Sequence, residues 1–357
     1  MSASAPSGPA RGLGADHGRP PPRDAPRGAL GRALGALASW EGFLLAVLVG
    51  LIALNALASP FFLTVSNQIN LFQLSIEKVI VALVMTLVIV NGEIDLSVAS
   101  IMGLAACLFG WLFQAGVPAW VAVFLVLLAG VACGAFNAFW IARIGIPSLV
   151  VTLATLIAYR GLARVLVEDR GIAGFPAWFD ALGQNGLIGP FPLSMVVFFA
   201  LAALFYVVLQ RTAFGRRLRF IGSNAAVAGY SGVDVARVKA SVFVASGAVS
   251  ALAGLLFAAR VGAVRGDVAL GFELDIITIV LLGGVSIFGG KGTLTGTLLA
   301  VLIVLNLRNG MALADVTGHI QTGVLGVLLI LSVMVPTIQA WGTRAWNRLR
   351  GAGGGAS

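Results

Sequence analysis

Charged residues are scarce in this sequence. Asp, Glu, Lys and Arg make up 10% of its 357 residues, against roughly 25% in a soluble domain. Too few polar groups remain to coat a water-facing surface, which excludes a soluble globule. Cysteine is nearly absent. Cys107 and Cys133 sit inside apolar runs, far from any metal-ligand spacing, and read as small packing residues that leave the redox compartment open. Neither His17 nor His319 has a neighbour that suggests metal binding or catalysis, and no nucleophile is set beside a base. An intramembrane enzyme is therefore not the expected class.

What the sequence has is apolar length. Hydrophobic residues make up 59% of the chain, mean hydropathy is +1.00, and a bilayer-spanning helix needs about 20 mostly apolar residues. About ten spans are expected, near 42–59, 66–91, 96–115, 119–141, 149–166, 192–209, 240–259, 271–288, 294–310 and 320–338. The second is long enough to tilt or break near Glu77-Lys78. Hydrocarbon leaves no lipid-facing backbone group unpaired, so the spans must be helices. The expected fold is an all-α, polytopic membrane bundle. Small-residue spacings at Gly130–Gly134 and Gly292–Gly296 allow close helix approach. No internal repeat stands out.

The net charge is +9. The basic residues fall mainly in tails and loops, where they act as topology signals rather than as a nucleic-acid surface. Residues 1–38, rich in Pro, Gly, Ala and Arg, read as a disordered tail. Its arginines and the run ending Ala56-Leu57-Ala58 imitate a signal peptide, but the basic region is too long, and an uncleaved first span is expected. With the N-terminus inside, Arg143, the basic strip from Arg211 to Lys239, Lys291 and the C-terminal arginines all lie inside. The acidic segment 167–191 then lies outside. Both termini are expected to be cytoplasmic. Residues 39–340 form the membrane domain, with a cytoplasmic loop at about 210–239 and a short basic tail at 341–357.

Four places carry chemistry. In Asn91-Gly92-Glu93-Ile94-Asp95-Leu96-Ser97, two carboxylates would be expensive in hydrocarbon, yet Asp or Ser can accept from free N–H groups at a helix start. This is either a capped inner turn or part of the translocation gate. In the loop 210–239, residues 223–231 read as a short helix behind a Ser/Asn cap with Gly232 as its stop. A short exposed helix suits partner docking, whereas a loop that only set topology would need none. The run Leu282-Gly283-Gly284 to Gly289-Gly290-Lys291-Gly292-Thr293 imitates a phosphate-binding loop. Valine at position 285, Gly292 after the lysine and the lack of a preceding strand all break that motif. A flexible inner hairpin fits better. Finally, Glu77, Lys78, Arg160, Arg164, Glu273 and Asp275 lie in or near spans, mostly near helix ends where snorkelling explains them.

At these residues the sequence resembles the ribose-type permeases of bacterial ABC sugar importers, over about residues 40–338. The resemblance rests on Gly-Glu-Ile-Asp-Leu-Ser-Val at 92–98, Pro147 to Thr155, Tyr159 to Ala163, Gly215-Arg216-Arg217 through Gly222 to Ala226, and Gly283 to Thr293. It implies an inner-membrane permease paired with a second, identical or homologous permease subunit. A cytoplasmic ATPase that holds the ATP and Mg and a periplasmic sugar-binding protein would complete the importer. This chain would carry no cofactor. The family's ATPase-contacting loop maps onto Gly215, Arg216, Arg217, Gly222, Ser223, Asn224, Ala225, Ala226, Gly229 and Gly232. Gly92, Glu93, Asp95, Ser97, Gly289, Gly290 and Lys291 would form the inner turn or gate. Asn224-Ala225-Ala226 stands where other importers carry Glu-Ala-Ala, and Glu93 replaces a usual glycine. The Glu93 variant, with Glu77-Lys78 upstream, most resembles permeases assigned to rhamnose, with autoinducer-2 permeases as near relatives.

A neutral sugar needs hydroxyl and amide partners, which makes Asn91, Ser97, Ser100, Thr152, Thr155 and Asn306 candidate pore-liners. The rival class is a proton-coupled carrier with Asp275 as its carboxylate. On that reading Asp275→Asn abolishes uptake.

Overall fold

The computed structural model describes residues 39–331, except 169, 185, 189 and 190, together with residue 334. The expected tails at 1–38 and 341–357, and all but one residue of the last expected span beyond Leu331, lie outside the described residues.

The described chain is mostly helical. Helix α1 is Trp40–Ala58, α2 Val65–Gln73, α3 Ile76–Val90, α4 Val98–Gln114 and α5 Ala119–Ala138. A π-helical turn, Phe139–Ile144, carries α5 on to Gly145, whose φ of +89° ends it. Then follow α6 Ser148–Val167, β1 Ile172–Ala173, α7 Ala177–Gln184, β2 Gly186–Ile188, β3 Phe191–Pro192, α8 Leu193–Arg211, α9 Ala213–Ser223 and α10 Ala225–Tyr230. The last are α11 Val235–Val261, β4 Ala263–Val264, α12 Phe272–Leu282, α13 Leu294–Leu313 and α14 Gly318–Leu331. Pro118, Pro147 and Pro192 stand immediately before α5, α6 and α8, where a missing N–H and a preset φ cost a helix nothing.

Six helices are long and apolar enough to cross a bilayer, and a seventh span results if α2 and α3, bent by 57°, are counted together. Helices α4 and α14 are apolar but shorter. The expected break in the second span is present, at Leu74-Ser75, just before Glu77. The span expected at 271–288 is an 11-residue helix instead. It stops at Gly283 because Gly283 packs against the backbone of Gly296 and Thr297 on α13, and Gly284 at φ +82° turns the chain away.

Helix α3 lies at the centre, with all fifteen residues buried. It packs on α8, α9, α11, α12 and α13. At the end of the bundle away from Val90, β1 pairs antiparallel with β4. There Phe179 of α7 stacks on Phe109 of α4 with ring centroids 4.1 Å apart.

Helices α5 and α11 pack closely, and glycine makes it possible. Gly130 and Gly134 on α5 face Gly247 on α11. A Cβ at Gly247 would stand 2.7 Å from the nitrogen and 2.8 Å from the Cα of Gly134. Only a helix shift could relieve that contact. Gly247→Val is therefore expected to destabilise the bundle by about 1–3 kcal/mol, read as a lower midpoint in thermal unfolding of detergent-purified protein. Gly161→Ala, with nothing within 4 Å, should leave that midpoint unchanged or raise it, since glycine is a poor helix former.

Candidate functional site

The turn between α3 and α4 is a polar hub. Asn91 caps α3, and Gly92 at φ +81° lets the chain reverse. Asp95, 1% exposed, accepts from the Ser97 N–H at 3.0 Å, the Ser97 hydroxyl at 2.6 Å and the Ser246 hydroxyl of α11 at 2.7 Å. Asn137 of α5 donates to Ser97 Oγ at 2.8 Å, and Tyr159 of α6 donates to the Cys133 carbonyl at 3.2 Å. The Ile94 N–H donates to Ser148 Oγ at 3.2 Å, and the Thr152 hydroxyl donates back to the Ile94 carbonyl at 3.3 Å. The turn is thus tied to α4, α5, α6 and α11. Glu93 adds an ion pair with Lys239 in the first turns of α11.

Beside the hub, three motifs distant in sequence meet backbone to backbone. The Gly290 N–H donates to the Val90 carbonyl, the last residue of α3, at 2.9 Å. Gly222, in the last turn of α9, lies against that same carbonyl and against the Gly290 nitrogen. Gly289 packs on Gly92 and the Gly222 carbonyl, and Gly290 on Ser223. Side chains on these residues would force the segments apart. The 284–293 segment is folded back on itself here, with Ser286 donating to Lys291 and Gly289 to Ser286.

Outward from this joint, Asn224 caps α10 by accepting from the Val227 N–H at 3.0 Å, and Gly232 at φ +82° ends the turn after it. The short helix expected there is present. Arg216, Arg217, Ser223, Ala225, Ala226, Gly229 and Lys291 are exposed, while Gly215 is buried where α8 bends into α9. Tyr230 is 94% and Phe288 88% exposed.

The structure gathers Asn91, Ser97, Ser100, Thr152 and Thr155 around the hub but leaves Asn306 apart, where its carbonyl accepts from Asn55 of α1 at 2.9 Å. All six are buried. Thr152 and Thr155 donate to carbonyls of their own helix, and Ser100 donates to the Ser97 carbonyl. Asn91 differs: neither side-chain atom has a partner among the described residues. Asn137, Ser148, Tyr159, Lys239 and Ser246 complete the hub; the sequence offers Ser148 and Tyr159 only as parts of the resemblance motifs and Lys239 only as a topology charge, and it does not single out Asn137 or Ser246. The available signal was an amide or hydroxyl inside an otherwise apolar run, as at Asn137 and Ser246.

Snorkelling does not describe the charged residues near the other end of α3. Glu77 and Lys78 are 1% and 8% exposed and find protein partners. Glu77 accepts from Arg260 Nε at 2.7 Å, and Asp275 accepts from both Lys78 and Arg308 at 2.7 Å. Arg160 donates to the Val268 and Ala269 carbonyls. Asp275 is therefore clamped between two cations.

The hub generates a specific expectation. Asp95→Ala strips the acceptor from two buried hydroxyls and one N–H, a loss of about 3 kcal/mol, seen as a markedly lower thermal midpoint. Asp95→Asn keeps an oxygen for Ser97 and offers an amide from which Ser246 Oγ can accept, so its midpoint should stay close to that of the unmodified protein.

Residues 67–333 match the family described as "Branched-chain amino acid transport system / permease component". The "Autoinducer 2 import system permease protein LsrD" of Yersinia enterocolitica serotype O:8 / biotype 1B is 39% identical over 303 residues, spanning 83% of this chain and 91% of the relative. The proteins of the same name from Yersinia pseudotuberculosis serotype O:3 and Yersinia pestis strain Pestoides F are also 39% identical over 303 residues, with 83% of this chain and 90% of each relative covered. No solved structure matches the chain. The resemblance to ribose-type importer permeases agrees with these matches, and the chain is a transport subunit rather than an enzyme, with ATP hydrolysed by a separate ATPase. A multi-pass membrane protein built on this polar hub and glycine joint, the chain belongs to the permease-component family of branched-chain amino acid transport systems.

Proposed function

We propose that this chain is the transmembrane permease subunit of an ABC importer for a small sugar-type solute in a bacterial inner membrane. The observation that carries this reading is the 39% identity to import-system permeases across 83% of the chain. On this reading ten segments cross or enter the bilayer, α4, α12 and α14 included, and both termini face the cytoplasm. The permease pairs with a second copy or a homologue, and a periplasmic binding protein delivers the solute. ATP and Mg belong to the ATPase. The relatives' name supports autoinducer-2 as the solute, while the Glu93 variant of the 92–98 motif supports rhamnose. The identity across nearly the full chain puts autoinducer-2 first.

In the mechanism, the exposed α9–α10 corner with Tyr230, Ala225, Ala226 and the neighbouring Phe288 is the surface an ATPase would grip. Movement of that corner on ATP binding would pass through Gly222 to the end of α3 and to the 284–293 segment, because no flexible side chain intervenes. The hub would carry it to α4, α5, α6 and α11, which switch between outward- and inward-open arrangements. The proton-coupled alternative has less support, since Asp275 is held by Lys78 and Arg308. Loss of uptake in Asp275→Asn would not identify a proton site, because the variant also leaves the buried Lys78 and the half-buried Arg308 unbalanced.

Gentle solubilisation from the native membrane, with and without ATP and vanadate, tests the reading. An ATPase should co-purify, and replacing 223–232 with a Gly/Ser linker should lose it. Reconstituted uptake should need ATP and survive a proton uncoupler; uptake by the chain alone that an uncoupler collapses would overturn the proposal. The co-purified binding protein, titrated with autoinducer-2 and rhamnose, decides between the solutes. Within the assembled importer, Gly222→Val should cut transport more than tenfold while leaving the ATPase attached.

A further inference from the structure

We propose that the groove between the end of α5 and the start of α11 binds one anionic glycerophospholipid of the phosphatidylglycerol type. This inference rests only on the chain spanning a membrane, not on what it transports. The groove encloses about 360 Å³ and is walled by Ala138, Phe139, Ala142, Ala240 and Val244, with Arg143 and Arg237 also lining it. Its chemistry changes along its length. Val244 lies seven residues deeper in α11 than Arg237, roughly 10 Å along the helix axis, so an apolar slot leads to a basic rim. That is the layout of an acyl chain below a phosphate.

Three further observations point to lipid. The rim lies where apolar spans end: Arg143 is in the last turn before Gly145, and Arg237 is in the first turn of α11. Phe136, Phe139 and Trp140 form an edge-to-face cluster there with centroids 5.3 and 6.1 Å apart, and all three are at least a third exposed. Such aromatic belts mark the membrane–water interface. The charges at the rim are also uncommitted. Among the described residues Arg143 has no ion-pair partner, and Arg237 meets only the exposed Asp234, through Nε at 2.8 Å. Lys239 nearby is taken by Glu93. Basic pockets between spans recognise anionic headgroups by this arrangement. The widened π-helical turn presents Phe139 and Arg143 on the same wall.

Native mass spectrometry of the intact chain, delipidated in neutral detergent and titrated with phosphatidylglycerol or phosphatidylcholine, tests this. One tightly held phosphatidylglycerol is expected, with phosphatidylcholine much weaker. Arg143→Gln with Arg237→Gln should weaken the anionic lipid by about thirtyfold, roughly fivefold per arginine, with no change in the lipid-free thermal midpoint, since both side chains are exposed. Ala240→Trp, which fills the slot and keeps both arginines, should also weaken it. Equal binding of the two lipids, or phosphatidylglycerol affinity unchanged in both variants, would overturn the proposal. So would a lipid-free dimer of the chain that the Ala240→Trp variant dissolves, which would give the groove to a second copy.

Discussion

A helix buried along its whole length has no face on which to leave a polar group, and α3 imposes that condition on every helix around it. Its three ionisable or hydroxyl side chains each take a partner from a different neighbour. Glu77 takes Arg260 of α11, Lys78 takes Asp275 of α12, and Thr86 meets Thr297 of α13 at 3.0 Å. Each pairing sets the axial position of one helix against the centre. The end of α3 is set in turn by the Val90 carbonyl, which receives Gly290. Apolar packing alone would tolerate a slide of one helix past another, because lipid is as apolar as a leucine surface. The polar pairs do not.

These pairs act through register more than through net stability. Taking two charges out of water costs several kcal/mol per ion, and their attraction roughly repays it. Breaking one is another matter, since the survivor stays buried and uncompensated. Asp275 shows the logic most clearly: one carboxylate answers two cations, Lys78 and Arg308, and Lys78 also rests 3.9 Å above the Phe272 ring. A group so committed suits a fixed strut between α3, α12 and α13 better than a site that binds and releases protons.

The sequence announces the six helices long enough to cross a bilayer because each falls on a long, mostly apolar run, and Pro118, Pro147 and Pro192 mark three starts to within a residue. It also announces the glycine-rich turns and the cap at Asn224, which are local in origin. The rest depends on contacts that no window along the chain contains. Helix α12 is short because Gly283 meets α13. Glu77 and Lys78 read as snorkelling residues because their partners lie 183 and 197 positions away. Asp95 stood out, but Ser246, which holds its other oxygen, sits 151 residues downstream inside an apolar helix. A single hydroxyl there carries no signal until α4 and α11 are brought together.

The same long-range geometry gives the three glycine-bearing turns a common purpose. Residues near 92, 222 and 289 share one point, and they touch through backbone atoms. Side-chain contacts can absorb a small displacement by changing rotamer, whereas glycine against glycine cannot. Motion of the α9–α10 corner must therefore move α3 and the 284–293 segment or break the joint. On the far side of the turn, the Asp95 hub has its hydrogen bonds met and resists deformation. Between the corner and the rigid hub sits Asn91, buried and with no partner for its amide among the described residues. A buried amide left unpaired costs about 1–3 kcal/mol, a cost that a bound water or a different arrangement of the joint would remove. A switch between two packings needs states separated by only a few kcal/mol. Asn91 lies where movement of the joint would arrive, and pairing of its amide is a difference of that size.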